Sequence, residues 1–369
     1  MFFSRSVPRR VSRSMPLRAV LALVGVFALS CTQSAEPPEC RTDLTGSSLG
    51  IATGSGLDGL ADSELDTYMS AVAESGAGWV RFDIDWSIVE PARGRFDWSG
   101  TDRVISAADS HDLQILGLLT HTPRWARTAD ADIDDTHGMP ADPGEFGRFA
   151  GDVAERYSGS IAHWEIWNEP NSTVFFTPRP DVRAYADLLV AASDAIRNVD
   201  PAAVIVTGGL SPAVDDGSDI APTTFLTELY AQGVSSTFDV VGMHPYSYPA
   251  LPSDESTSDW NSFYRMREMR TVMVDGGDSD KPIWATEFGA PTGTGADAVG
   301  FTDQADILRD GITEQRALGF VDKLFVYSLL DRGTDVSDRE QNFGVATYDG
   351  SQKPAWDVLR TAASTPGCL

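Results

Sequence analysis

The sequence predicts an α/β protein built as a single (β/α)8 TIM barrel with long loops after its strands. Eight short apolar runs alternate with polar loops and helix-like stretches along the chain. About 330 residues follow the N-terminal leader, enough for one large α/β domain or two ordinary ones, and no long linker or low-complexity block divides them. Eight strands alternating with helices, in a domain somewhat larger than about 250 residues, point to the barrel. A doubly wound sheet is the main rival.

The apolar runs are residues 48–52, 79–83, 114–119, 161–167, 204–208, 239–243, 282–287 and 323–328. Ser63 is placed to cap the first helix, with Leu65, Met69 and Val72 on one face. Phe146, Phe149, Val153 and Tyr157 make the face of another. Residues 182–199 read as a long alanine-rich helix stopped by Asp200-Pro201, and residues 301–318 and 354–363 as later members. The rival rests on Gly54-Ser55-Gly56-Leu57-Asp58-Gly59, a G-x-G-x-x-G match after the first run with Asp83 beyond it. The helix begins near Asp62-Ser63, so all three glycines fall in the loop, whereas a dinucleotide fold places the last one in the helix. We therefore read a glycine-rich strand-to-helix loop and no nicotinamide cofactor.

The first 30 residues hold five arginines and no acid, followed by an apolar run, residues 19–29, too short to cross a membrane. This is a signal peptide in its proportions. Ala28-Leu29-Ser30-Cys31 resembles a bacterial lipobox, which implies lipidation of Cys31 and an exported protein, either a cell-membrane lipoprotein or secreted. The expected division is a leader over residues 1–30, a tether over 31–45 and a catalytic barrel over 46–369. Cys40 and Cys368 lie near the two ends of the mature chain, and in an exported protein they are expected to form a disulfide that staples those ends. Without the leader the chain carries 23 Lys and Arg against 54 Asp and Glu, a formal charge of −31. That balance excludes a nucleic-acid binder and a protein held on anionic lipid by its own surface. A hydrophobic fraction of 42% supports a full core and excludes disorder.

In barrels the chemistry sits at the C-terminal strand ends. The fourth run leads through Glu165 into Trp167-Asn168-Glu169-Pro170-Asn171, and alternation gives Glu165 and Glu169 one orientation with Glu169 at the end. The seventh run ends Thr286-Glu287-Phe288-Gly289. Strands four and seven face each other across the mouth. Two carboxylates so placed are what glycosidic bond cleavage requires, one protonated for the leaving group and one ionised to attack or to activate water.

Trp167-Asn168-Glu169-Pro170 and Thr286-Glu287-Phe288-Gly289 resemble the two signatures of the clan A glycoside hydrolases, retaining enzymes on (β/α)8 barrels. Arg81-Phe82-Asp83-Ile84-Asp85-Trp86, with Arg95-Phe96-Asp97-Trp98 after it, resembles the second-strand region of families 39 and 5. Phe343-Gly344-Val345 and Lys353-Pro354-Ala355 resemble the clan's C-terminal part. The local texture is nearest family 39, with family 5 second. The resemblance implies Glu169 as general acid/base and Glu287 as nucleophile. It implies that Asn168 bonds the sugar 2-hydroxyl and that Arg81, at the second strand end, keeps Glu287 ionised. It implies a substrate-side His244, a Tyr246 that positions Glu287, and a His121 lining the glycone pocket. The clan usually ends its eighth strand on Trp; here Tyr327 stands in that run and is expected to serve as the sugar platform.

Carboxyl groups about 5–5.5 Å apart are expected for the retaining reaction. Glu169 needs a raised pKa, which the flanking Trp164 and Trp167 are expected to supply by desolvation. Trp86, Trp125, Trp260 and Tyr248 fall in or beside loops at the catalytic face, and long loops over residues 120–143, 246–259 and 329–350 can wall an extended cleft. The acid-rich stretch 130–135 lacks the ligand set and turn glycine of a calcium loop, and no His/Cys cluster has zinc spacing. No metal and no cofactor are expected. The expected activity is hydrolysis of β-glycosidic bonds in an oligo- or polysaccharide by a monomer. The alternatives are a sugar-binding surface lipoprotein on the same barrel and a transglycosylase using the same residues.

Overall fold

The computed structural model describes residues 48–129, 135–367 and 369. The leader, the tether, Cys31, Cys40 and Cys368 lie outside the described residues, as do residues 130–134 of the acid-rich stretch. All eight expected strands form: β1 (Leu49–Ala52), β2 (Trp79–Asp85), β3 (Gln114–Thr120), β4 (His163–Ile166), β5 (Val204–Thr207), β6 (Val241–Met243), β7 (Ile283–Phe288) and β8 (Val321–Tyr327). The ladders among the described residues are parallel and run β5-β4-β3-β2-β1-β8-β7-β6. Single parallel bridges, Val206 to Val240 and Leu210 to Met243, bring β5 to the β6 side and all but close the cylinder. The strands read as unbroken apolar runs because helices cover their outer face and side chains fill their inner one.

The helices α1 (Asp62–Glu74), α2 (Trp86–Val89), α3 (Ser99–Ser110), α4 (Pro143–Arg156), α5 (Val182–Val199), α6 (Pro222–Ala231), α7 (Ser262–Asp275), α8 (Phe301–Leu318) and α9 (Pro354–Ser364) form that outer layer. Asp142 and Asp181 cap α4 and α5 by accepting from first-turn N–H groups, and α4, α6 and α9 begin on proline, whose missing N–H is not needed there. The first cap departs from expectation. Ala61 is the cap residue and Ser63 lies inside α1, because the Glu64 carboxylate reaches back to the Ala61 N–H at 2.8 Å. The face with Leu65, Met69 and Val72 is buried as expected.

Strand β2 also runs further than its apolar stretch. It pairs with β3 residue for residue up to Asp85–Thr120, so Asp83 and Asp85 extend the ladder and Arg81 stands inside the strand instead of at its end. The lowest inward layer is aromatic. Trp79 meets His163, Trp284 and Phe325 edge-on at 4.8, 5.7 and 6.3 Å between ring centres, and the Lys323 ammonium sits 4.2 Å from the Trp79 ring centre. Burial and the Lys323 charge push His163 down to about 4, so it is neutral in this floor at neutral pH. Gly50 completes the layer, since a Cβ there would lie 2.4 Å from the Phe325 ring.

Candidate active site

Alternation along β2 and β4 turns Arg81 and Glu165 into the barrel. They meet as a two-pronged pair: Arg81 Nε reaches Glu165 Oε2 at 2.5 Å and Nη2 reaches Oε1 at 3.2 Å. Both side chains are almost fully buried, at 1% and 0% exposure. Nη2 also donates to Asn168 Oδ1 at 2.9 Å, and Nη1 donates to Glu287 Oε1 at 2.7 Å. One guanidinium thus holds a carboxylate below it and presents its remaining donors to the strand-end residues above.

Glu287 reaches that position through an irregular strand. Successive strand residues normally point to opposite faces. Yet Thr286 Oγ1 donates to Glu165 Oε1 at 3.0 Å while Glu287, the next residue, bonds Arg81. The register of β7 on β8 shifts between Ala285 and Phe288, and this bulge turns both side chains inward. Phe288 then points out again, against Phe263 at 5.1 Å. The second oxygen of Glu287 accepts the Tyr246 hydroxyl at 2.7 Å. Burial alone would raise this carboxyl. The charges of His244 and Arg81, with the Tyr246 hydrogen bond, outweigh burial and hold it below the usual carboxylate range.

His244 is fully buried, with Nδ1 2.8 Å from Glu169 Oε1 and 3.7 Å from Glu287 Oε2. Two carboxylates that share one nitrogen at these distances have those oxygens within about 6.5 Å of each other, the lower edge of the inverting range of about 6.5–9.5 Å. Burial pulls the imidazole pKa down, but Glu287 and Glu169 pull it up by more, so it lies above its ordinary value. Backbone conformation marks the same strand ends. His121, Trp167 and Glu169 have φ of 64°, 70° and 44°, a left-handed region that costs a non-glycine residue energy and recurs at functional sites.

Six expected residues therefore come together: Arg81, Asn168, Glu169, His244, Tyr246 and Glu287. His121 stands beside them at the end of β3, its Nδ1 2.8 Å from Asp85 Oδ2. Tyr327 joins an aromatic wall, packing on Phe343 at 5.2 Å, which in turn meets Tyr246 at 5.8 Å. Trp125, in the loop after β3, packs beside the end of β2. Its indole N–H donates to the Glu90 carbonyl, its ring edge packs on Trp86 and Arg93 lies over it. The match to known families decides what this arrangement belongs to. Residues 39–318 match the model of the cellulase family, glycosyl hydrolase family 5.

The chain belongs to glycosyl hydrolase family 5. It is a clan A glycoside hydrolase, as the two strand-end signatures implied. Its fold is similar to a family 39 glycoside hydrolase from Bacteroides cellulosilyticus, with a TM-score of 0.68 at 19% identity over 86% of this chain and 63% of that one. A monomeric β-xylosidase from Caulobacter crescentus gives 0.65 at 19% identity, over 87% and 69% of the two chains. A family 5 variant from Bifidobacterium longum, solved with Manβ1-4GlcNAc, gives 0.63 at 16% identity, over 86% and 78%. In sequence, a stretch covering 34% of this chain is 29% identical to a β-galactosidase of Halorubrum lacusprofundi, and spans only 20% of that protein.

Within this glycoside hydrolase, three indoles correct the expectation drawn from sequence. Trp164 and Trp167 do not flank the Glu169 carboxyl. Alternation sends Trp164 outward into the helix-facing core, and Trp167 packs on Phe146 and Phe176 with its N–H bonded to the Phe175 carbonyl. Trp86 is fully buried and stacks on Phe149 instead of facing a cleft. Trp260 does lie exposed, at 49%. The Asn171 side chain is fully buried, its amide N–H groups donating to the Ser211 and Ile220 carbonyls and its oxygen accepting the Ser211 N–H.

Glu165 is the residue to which the sequence reading gave orientation but no role. It also accepts the Gly209 N–H at 2.9 Å, so four donors converge on it from β2, β5 and β7. Arg81→Met should leave this buried charge unpaired and lower stability by about 3–5 kcal/mol. The double variant Arg81→Met, Glu165→Gln should regain most of that loss in thermal unfolding yet regain no activity. Glu165→Gln alone should lower kcat/KM by about 100-fold, because an amide cannot accept both Arg81 prongs. A double variant as active as wild type would show that the fork serves stability only.

Proposed function

We propose that the chain is a retaining β-glycosidase acting on a neutral oligo- or polysaccharide outside the cytoplasm. In this reading Glu287 attacks the anomeric carbon while Glu169 protonates the leaving oxygen, and Glu169 then activates the water that releases the sugar. The observation that carries it is the shared imidazole, which brings the nearest oxygens of the two carboxylates within about 6.5 Å, no further apart than the lower edge of the inverting range. Arg81 and Tyr246 hold Glu287 as an anion, the form an attacking nucleophile needs. Asn168, fixed through its oxygen by Arg81, has its amide nitrogen left to donate to the sugar 2-hydroxyl. The β-galactosidase and β-xylosidase names of similar proteins support the β linkage.

The deciding experiment follows the first product of a nitrophenyl β-glycoside by proton NMR. The β anomer appearing first supports double displacement, and the α anomer appearing first overturns it. The pH profile gives a second check. Glu287 must be ionised, and its pKa is depressed, so the acid limb of kcat/KM should fall below about pH 4.3, the ordinary Glu value. His244 sits above its ordinary value of about 6.5, so it holds its proton to higher pH and keeps a cation beside Glu287. A kcat/KM already lost at pH 5.5 on the acid side would contradict the held anion.

A further inference from the structure

The carboxylates of the mouth differ in one respect. Glu165, Glu169, Glu287 and Asp85 each have a protein partner, from Arg81, His244, Tyr246, His121 or backbone N–H groups. The Asp83 side chain has no hydrogen bond and no ion pair among the described residues. It is two residues beyond Arg81 on β2, paired in register with Leu118, so alternation points it inward. It lies within electrostatic range of His121, Arg81 and Glu287, on the β2 side of the mouth. It is partly buried, and burial pushes its carboxyl up.

On the neighbouring β8 side stands a cation in the complementary condition. Arg332, in the loop after β8, has no carboxylate at ion-pair distance among the described residues. Its guanidinium makes three long contacts, all at 3.4 Å, to the Tyr327 hydroxyl and to the backbone and side-chain oxygens of Ser55. It too is in electrostatic range of Asp83. Strands β1, β2 and β8 are neighbours in the sheet, so these two groups flank one corner of the mouth, away from Glu169 on β4.

We propose that this corner seats the glycone and that Asp83 is its specificity-determining residue, accepting hydrogen bonds from glycone hydroxyls while Arg332 donates to the same sugar from the β8 side. The inference rests on the glycosidase reading and narrows its substrate class. A hydroxyl both donates and accepts, so one sugar can satisfy an acceptor-only carboxylate and a donor-only guanidinium together. An anionic sugar would bring its charge beside Asp83, Asp85 and Glu287, so the favoured glycone is a neutral sugar with free hydroxyls remote from the bond that breaks. His121 stands on the same side, its Nδ1 fixed by Asp85, which leaves Nε2 as the ring atom available to a ligand.

The test uses the full chain and nitrophenyl β-D-xyloside, glucoside, galactoside, mannoside, cellobioside and glucuronide. Wild type should turn over at least one neutral member and not the glucuronide. On the best neutral substrate Asp83→Asn should lower kcat/KM by about 100-fold, the worth of a hydrogen bond to a charged group in a partly buried site. Monodeoxy versions of that substrate supply the decisive readout. One of them should lose about 100-fold in wild type but less than about threefold in the variant, because the bond is already gone. Asp83→Asn within about threefold of wild type on every substrate overturns the proposal, and so does an equal loss on all deoxy analogues, which would mean that Asp83 acts through the fold. A glucuronide cleaved as well as the glucoside also overturns it. If Asp83→Asn fails to fold, Asp83→Ser carries the same cycle. Wild type inactive on the whole panel would sink the glycosidase reading itself, an outcome distinct from an active enzyme indifferent to Asp83.

Discussion

Glu287→Gln should fold normally and lose roughly 10,000-fold or more in turnover, on every substrate alike. The amide keeps the shape and one acceptor oxygen, so Arg81 Nη1 or the Tyr246 hydroxyl retains a partner at the position each now occupies within 2.7 Å. What it loses is the negative charge that Arg81 and His244 are arranged to hold. No neighbouring residue is expected to replace it as a nucleophile: Glu165 is pinned beneath Arg81, and Glu169 is held by His244. Turnover and thermal unfolding of the same preparation check the prediction. A folded variant that keeps more than about one per cent of activity would remove Glu287 from the nucleophile's place.

Glu169→Ala should show a loss that depends on the leaving group. General acid catalysis contributes about 100- to 10,000-fold, and only where the departing oxygen needs a proton. A natural sugar leaving group should therefore lose close to the full amount, while a dinitrophenyl glycoside, whose phenolate leaves unaided, should form the glycosyl-enzyme nearly as fast as wild type. Its release should then stall, because the base for water is also gone. Azide, which needs no base, should restore turnover and give the β-glycosyl azide. A uniform loss across leaving groups, unaffected by azide, would assign Glu169 a structural part instead.

Much of this was legible in the sequence because barrel strands are buried on both faces and so appear as apolar runs. Helices α5 and α8 could be read to the residue, since Asp200-Pro201 ends the one and Gly300 and Gly319 bracket the other. The paired glutamates stood out because each ends such a run. The failures share a cause: adjacency in sequence is not adjacency of side chains. Trp164 and Trp167 are close to Glu169 along the chain, yet alternation and two left-handed residues send the indoles outward. Ser63 has the residue type of a cap, but Glu64 reaches back from three residues ahead and satisfies the Ala61 N–H instead. The fork between Arg81 and Glu165 spans 84 residues of chain, and no local pattern announces it.

The aromatic floor has a consequence for traffic. Trp79, His163, Trp284 and Phe325 pack together at the base of the cylinder with Lys323 set against them. In the double-displacement reading, whatever enters the glycosyl-enzyme would then use the doorway through which the first product left. Departure and arrival then become consecutive events in a single vestibule, a ping-pong sequence, and water gains no private channel. Any alcohol that fits the vacated space competes with it directly, so the partition between hydrolysis and sugar transfer becomes a matter of concentration at one door.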